Sequence, residues 1–268
     1  MTEQGLTFDD VYLIPQYTAC ESRSDLDTSV EFGKFKIRSP IISANMDTIT
    51  ESEMAIAMWR SGAIGAIHRF MSPEDAVLEY EKVRKANSDA FVSVGVRHDD
   101  LDRARMLHAA GATLFIIDIA HGHSAQMRQM ISVMRSTFGT NIYIVAGNVA
   151  TADAVKDLAS WGADCVKVGV GGGSCCKTRV VTGHGVPMFS CLLECSAAAD
   201  EAGVKIIADG GLRSSGDIVK SIAAGADMVM LGSMLAGSQE SPGEVDFYDG
   251  KKYKKFRGMA STPAMESR

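Results

Sequence analysis

Two hydrophobic patterns take turns along this chain. Short, nearly unbroken apolar runs fall at residues 40–46, 63–68, 90–96, 113–121, 141–149, 163–170, 204–211 and 226–232. Between them lie longer stretches whose apolar residues recur at helical spacing: 51–61, 72–86, 99–110, 124–138, 151–161, 187–202 and 214–224. A short run that is apolar throughout suits a strand buried on both faces, as in a parallel sheet. A 3.6-residue period suits an amphipathic helix laid on that sheet. The pattern therefore predicts alternating strands and helices.

The punctuation agrees. Ser72 before Pro73, Ser124, Thr151 and Ser214 stand where N-caps belong. Gly62, Gly111, Gly139, Gly162, Gly203 and Gly225 follow the helical stretches, where a left-handed C-cap is expected. Eight such β units in a chain of this length imply the α/β class and a (β/α)8 barrel. A doubly wound open sheet is the alternative, weakened because no GxGxxG opens a helix after the first strand. Residues 1–39 read as an irregular N-terminal cap with short extended pieces. An extended pair, 245–248 and 251–257, turns at Asp249–Gly250. No helix is expected after the eighth strand, which would leave an apolar seam. Residues 1–268 thus read as one barrel domain.

Composition narrows the picture. The chain has 268 residues, a net charge of −6 and 46% hydrophobic residues, enough for one large core. The acidic balance disfavours nucleic acid as a partner. No apolar run has the length of a membrane span, and the N-terminus lacks a secretory pattern, so a cytoplasmic protein is expected. Six cysteines, Cys20, Cys165, Cys175, Cys176, Cys191 and Cys195, show neither disulfide-framework nor zinc spacing. Cys20, Cys165, Cys191 and Cys195 read as small buried hydrophobes. His121 and His123 lack the carboxylate cluster that a metal pair needs. The basic run 251–255 reads as a solvated hairpin face.

In a barrel, ligands bind where strands end. The densest such point is the loop G-V-G-G-G-S-C-C-K-T-R from Gly169 to Arg179. Its glycines permit close backbone approach to a ligand, and its N–H groups can cradle an anion. A thiol there, Cys176, is a candidate nucleophile. Thr178, two residues on, offers a hydroxyl for proton relay. Gly210 and Gly211 after the seventh strand, with Gly232 and Ser233 after the eighth, match the common barrel phosphate site. Asp209 beside them can hold a ribose diol. A phosphate next to a ribose-binding acid implies a nucleoside monophosphate.

These residues sit in motifs that resemble the IMP dehydrogenase/GMP reductase family over nearly the whole chain. They are A-N-M-D-T (44–48), D-I-A-H-G-H-S (118–124), G-N-V-A-T (147–151), G-G-G-S-C-C-K-T-R (171–179), A-D-G-G (208–211), G-S-M-L-A-G (232–237), E-S-P-G-E (240–244) and F-R-G-M (256–259). The resemblance implies that a Cys176 thiolate attacks C2 of a purine nucleoside monophosphate, with Thr178 in proton transfer. It places Ser174, Gly210, Gly211, Gly232 and Ser233 on the phosphate and Asp209 on the ribose. Met46, Gly258 and Met259 meet the purine, and Asp118 and Asn148 face the nicotinamide. It also implies a potassium ion on backbone carbonyls of Gly171, Gly173 and Cys176, and a homo-oligomer, expected to be a tetramer.

Two activities belong to this family. A GMP reductase uses NADPH to turn GMP into IMP, and an IMP dehydrogenase uses NAD to turn IMP into XMP. The absence of an inserted module after the second helix, Asn45, Phe256 and the Glu194–Cys195 pair favour the reductase. The E-S-P-G-E motif and Arg257 favour the dehydrogenase, which is kept as the alternative. Family members continue beyond Met265 with a flap that completes proton transfer. The chain is therefore expected to be a C-terminally short member, and a catalytically impaired nucleotide binder is a third reading.

Overall fold

The computed structural model describes residues 5–173 and 178–259. The chain enters through an antiparallel hairpin, β1 (Val30–Phe32) and β2 (Phe35–Ile37). Strand and helix then alternate: β3 (Ile41–Ser43), α1 (Ser52–Arg60), β4 (Ile64–Ile67), α2 (Pro73–Lys85), β5 (Ala90–Val94) and α3 (His98–Ala109). There follow β6 (Leu114–Asp118), α4 (Ala125–Phe138), β7 (Tyr143–Val149), α5 (Ala152–Trp161), β8 (Cys165–Val168), α6 (Thr178–Val181) and α7 (Met188–Ala202). The last units are β9 (Lys205–Asp209), α8 (Ser215–Ala223) and β10 (Met228–Leu231). β3 to β10 form one closed parallel barrel in sequence order, sealed where β10 pairs with β3 from Val229–Ile41 to Leu231–Ser43. The fold is the (β/α)8 barrel, and the open sheet is excluded.

Side-chain alternation explains why the strands read as continuous apolar runs. Outward residues such as Val92, Phe115, Ile144, Val166 and Val229 pack beneath the helices. Inward residues such as Ile42, Ile64, Phe91, Leu114, Ile116, Val145, Ile207 and Met228 fill the lumen. The β1–β2 hairpin plugs the N-terminal end. Phe32, 1% exposed, stacks on Phe91 at 5.4 Å and meets Tyr143 edge-on at 5.9 Å.

The caps are where the sequence puts them. Ser72, Ser124, Thr151 and Ser214 each accept a backbone N–H three residues on. The six expected glycines all have positive φ. Three short elements were not foreseen: 3-10 turns at Phe8–Asp10 and Arg23–Asp25, and α6, one turn long, just after the cysteine loop. The hairpin β11 (Val245–Tyr248) and β12 (Lys251–Lys254) turns at Asp249–Gly250. Its second strand stops short of residue 257 because the chain leaves it to cross the barrel mouth.

Outside the β10–β3 junction, no helix follows β10 among the described residues. Segment 233–241 covers part of the expected apolar seam, with Leu235 packed against the cluster of Met54, Met58 and Ala63. Val219, Ile222 and Met234 stay exposed. Among the described residues, no helix is long and apolar enough to cross a membrane.

One expectation is corrected. Cys165, Cys191 and Cys195 are buried, but Cys20 is exposed. It lies on an extended arm away from the core, where its thiol donates to the Ser22 carbonyl at 3.1 Å and to Asp25 Oδ2 at 3.9 Å.

Candidate active site

Toward the C-terminal end of the barrel the inward positions turn from apolar to charged. β6 ends in Asp118, β9 ends in Asp209, and β8 carries Lys167 between two valines. The Lys167 ammonium lies 3.1 Å from an Asp118 oxygen and 2.7 Å from an Asp209 oxygen. It also donates to the Asn148 side-chain carbonyl. The Asn148 amide donates to Asp209 Oδ2 at 2.9 Å and to the Gly169 carbonyl at 2.8 Å. Asn45, buried at the end of β3, donates to Ser93 Oγ at 3.1 Å.

Electrostatics hold this cluster in its charged form. Burial raises the Asp118 carboxyl, but the Lys167 charge and its hydrogen bond, with Arg69 and Asn45 behind them, hold it below its ordinary value. Burial pushes the Lys167 ammonium down, and attraction to Asp209 and Asp118 overrides it, so the group ends above the usual lysine range.

Backbone geometry brings the loops together above the cluster. Gly169 has φ of +138°, and a Cβ there would stand 2.0 Å from the Asp209 carbonyl oxygen. Only glycine lets the cysteine loop leave β8 so close to the end of β9. Gly210, at φ +102°, faces the Gly173 backbone nitrogen, 3.1 Å from where its Cβ would be. Gly232 faces Met46, whose sulfur would lie 3.4 Å from a Cβ, with Phe256 at 4.0 Å. Arg257 pairs with Asp47, its Nε donating to Oδ2 at 3.0 Å, and so ties the segment after β12 to the loop that carries Met46. The N-terminal segment closes another side. Phe8 is buried edge-on against Phe189, and Lys220 donates to the Phe8 carbonyl at 2.7 Å.

Together these loops enclose a cavity of about 950 Å3. Every predicted site residue within the described part of the chain lines it: Met46, Asp118, Asn148, Gly171, Gly173, Thr178, Asp209, Gly210, Gly211, Gly232, Ser233, Gly258 and Met259. Ser174 and Cys176, with Cys175 and Lys177, lie outside the described residues. The flanking Gly173 and Thr178 both face this cavity. Outside it, His121 is exposed and His123 is paired with Asp157 at 2.8 Å. Among the described residues, no three metal-ligating side chains converge.

Sequence reasoning missed Lys167, Arg69, Phe256 and the N-terminal Thr7–Asp9 as lining residues. Lys167 left a legible signal, because a lysine inside the run C-V-K-V must bury its charge.

Comparison with known proteins decides the family. Residues 5–268 match the model of the IMP dehydrogenase/GMP reductase domain. The chain belongs to the IMP dehydrogenase/GMP reductase family. It is 37% identical to an inosine-5'-monophosphate dehydrogenase of Borreliella burgdorferi, covering 99% of this chain and 78% of that protein. It is 38% identical to one of Cryptosporidium parvum, covering 98% of this chain and 76% of that protein. It is 33% identical to one of Bacillus subtilis, covering 99% of this chain and 80% of that protein. The first alignment runs over 317 positions and the last over 394. Family members with one printed name thus differ in how much extra chain they carry. The missing insertion after α2 therefore does not by itself mark a reductase.

Proposed function

We propose that the whole chain acts as one catalytic domain, a purine nucleotide oxidoreductase that converts IMP to XMP with NAD. The observation that carries this reading is the similarity, over 98–99% of the chain, to proteins named IMP dehydrogenase. The cavity supports it, since its glycine-rich and acidic walls suit a phosphate and a ribose side by side.

In this reading Ser174, Gly210, Gly211, Gly232 and Ser233 hold the phosphate by hydroxyl and backbone N–H groups. Asp209 accepts hydrogen bonds from the ribose hydroxyls. Met46, Gly258 and Met259 meet the purine, and the Arg257–Asp47 pair sets the spacing between their loops. Asp118 and Asn148 orient the nicotinamide over C2. NAD, when bound, supplies the acceptor for the hydride from C2.

The Cys176 thiolate forms a bond to C2 as the hydride leaves. Water then attacks C2, the carbon–sulfur bond breaks, and XMP and the thiolate are regenerated. Thr178 takes part in moving the proton that the water gives up. The balance is IMP, NAD and water to XMP, NADH and a proton.

A potassium ion fits the cysteine loop in donor chemistry. Backbone carbonyl oxygens are the neutral ligands that replace water around potassium, and Gly171 and Gly173 line the cavity wall. Gly171 is closely packed: a Cβ there would meet Gly185 Cα at 3.0 Å and Arg179 Cβ at 3.4 Å. Gly171, Gly173 and Cys176 would hold the ion, which would supply positive charge and stiffness to the loop.

The reductase reading, GMP to IMP with NADPH, retains Asn45 of the A-N-M-D-T motif, which is buried, together with Phe256 and the Glu194–Cys195 pair. One experiment separates the two. Purified protein with IMP and NAD is expected to produce NADH, and with GMP and NADPH to leave NADPH unchanged. The opposite pattern would assign the reductase. Nucleotide binding without either reaction would leave a non-catalytic relative.

A further inference from the structure

Lys167 stands out as a costly residue. Its side chain is 3% exposed in the lumen of the barrel, where an apolar residue would be cheaper to bury. Three strands cooperate to accommodate it. β6, β7 and β8 place Asp118, Gly147 and Lys167 on one rung, paired in register. A side chain at position 147 would collide with Lys167, since a Cβ there would lie 2.7 Å from the Lys167 Cβ. The rung is thus empty at its centre. Across that gap the ammonium reaches Asp118, and in the other direction it reaches Asp209 on β9.

We propose that Lys167 is a positioning residue that ties the carboxylate on the nucleotide side, Asp209, to the carboxylate on the dinucleotide side, Asp118, so that one cation sets both subsites. This rests on the functional reading above for what each acid touches. The geometry itself does not depend on it. Asp118 and Asp209 are each partly open to the cavity, at 19% and 22%, so each keeps lone pairs for a ligand while the ammonium fixes its orientation. Asn148 completes the frame by bridging the ammonium and Asp209.

The test compares variants by binding and by kinetics. Lys167→Met keeps the side chain's length and removes its charge. It is expected to lower kcat/KM by roughly a hundredfold, with KM raised for both IMP and NAD. Lys167→Arg, which restores a cation, is expected to recover part of the loss. A purely structural lysine would instead lower the melting temperature and leave both KM values of the folded fraction unchanged, which would overturn the proposal.

A second comparison covers the case in which Lys167→Met does not fold. The double variant Lys167→Met with Asp118→Asn restores the cluster's net charge and is compared with Asp118→Asn alone. By calorimetry the double variant is expected to bind IMP about tenfold or more weakly. Equal affinity would overturn the proposal. Binding of IMP and GMP to the unmodified protein is measured alongside. If neither binds, the functional reading fails, whereas binding that ignores Lys167 sinks only the positioning role.

Discussion

The two ends of the barrel lumen are made by the same eight strands and are chemically opposite. The N-terminal half is a plug of Phe32, Phe91, Leu114 and their neighbours, closed to water. The C-terminal half is a cage of Lys167, Asp118, Asp209 and Asn148 under an open cavity. A step of two residues along a strand moves from one regime to the other. Stability is concentrated where side chains interdigitate, and ligand chemistry where the strands run out. The difference explains why a costly buried ion cluster is tolerated: it rests on an apolar floor that pins the strands beneath it.

The comparison can be broken most forcefully at the floor. Phe91→Ala removes a fully buried ring that stacks on Phe32. It is expected to cost about 3–5 kcal/mol of stability, read by denaturant unfolding. Nucleotide affinity per folded molecule should stay unchanged, and a parallel loss of affinity would mean the two ends are not separable. At the mouth the reverse is expected. Asp209→Asn should weaken IMP binding by about 1.5–3 kcal/mol, as for a hydrogen bond to a charged group, while lowering the melting temperature far less than Phe91→Ala. The smallest effect concerns acid. Asp118 has its folded value held below the unfolded value of about 3.9. Its contribution is present above that value and lost as pH falls through the folded one. Melting curves of the unmodified protein and Asp118→Asn should therefore converge only below about pH 4, and an earlier convergence would show that Lys167 does not hold the carboxylate ionised.

Much of this was legible in the residues. Continuous apolar runs marked strands buried on both faces, and glycine after six of the seven predicted helices marked the turns, so the barrel could be read directly. The glycines and acids at the strand ends were legible because barrel topology gathers strand ends at one face. What was not legible depended on register and reach. That Lys167 meets both acids follows from the Asp118–Gly147–Lys167 rung, which no spacing in the chain announces. The N-terminal Thr7–Asp9 segment reaches the site through the contacts of Phe8 with Phe189 and Lys220, nearly the whole chain away. Cys20 was misjudged because burial is a property of where the arm lies, not of the residue type.

The Arg257–Asp47 pair joins residues 210 positions apart. Met46 is made long before Met259, so the slot between their loops has both walls only once synthesis has reached Met259. A chain that stops before Met259 could assemble all of its barrel strands yet would lack one wall of that slot. A ligand of that slot would then stabilise chains that extend through Met259 over chains that stop before it.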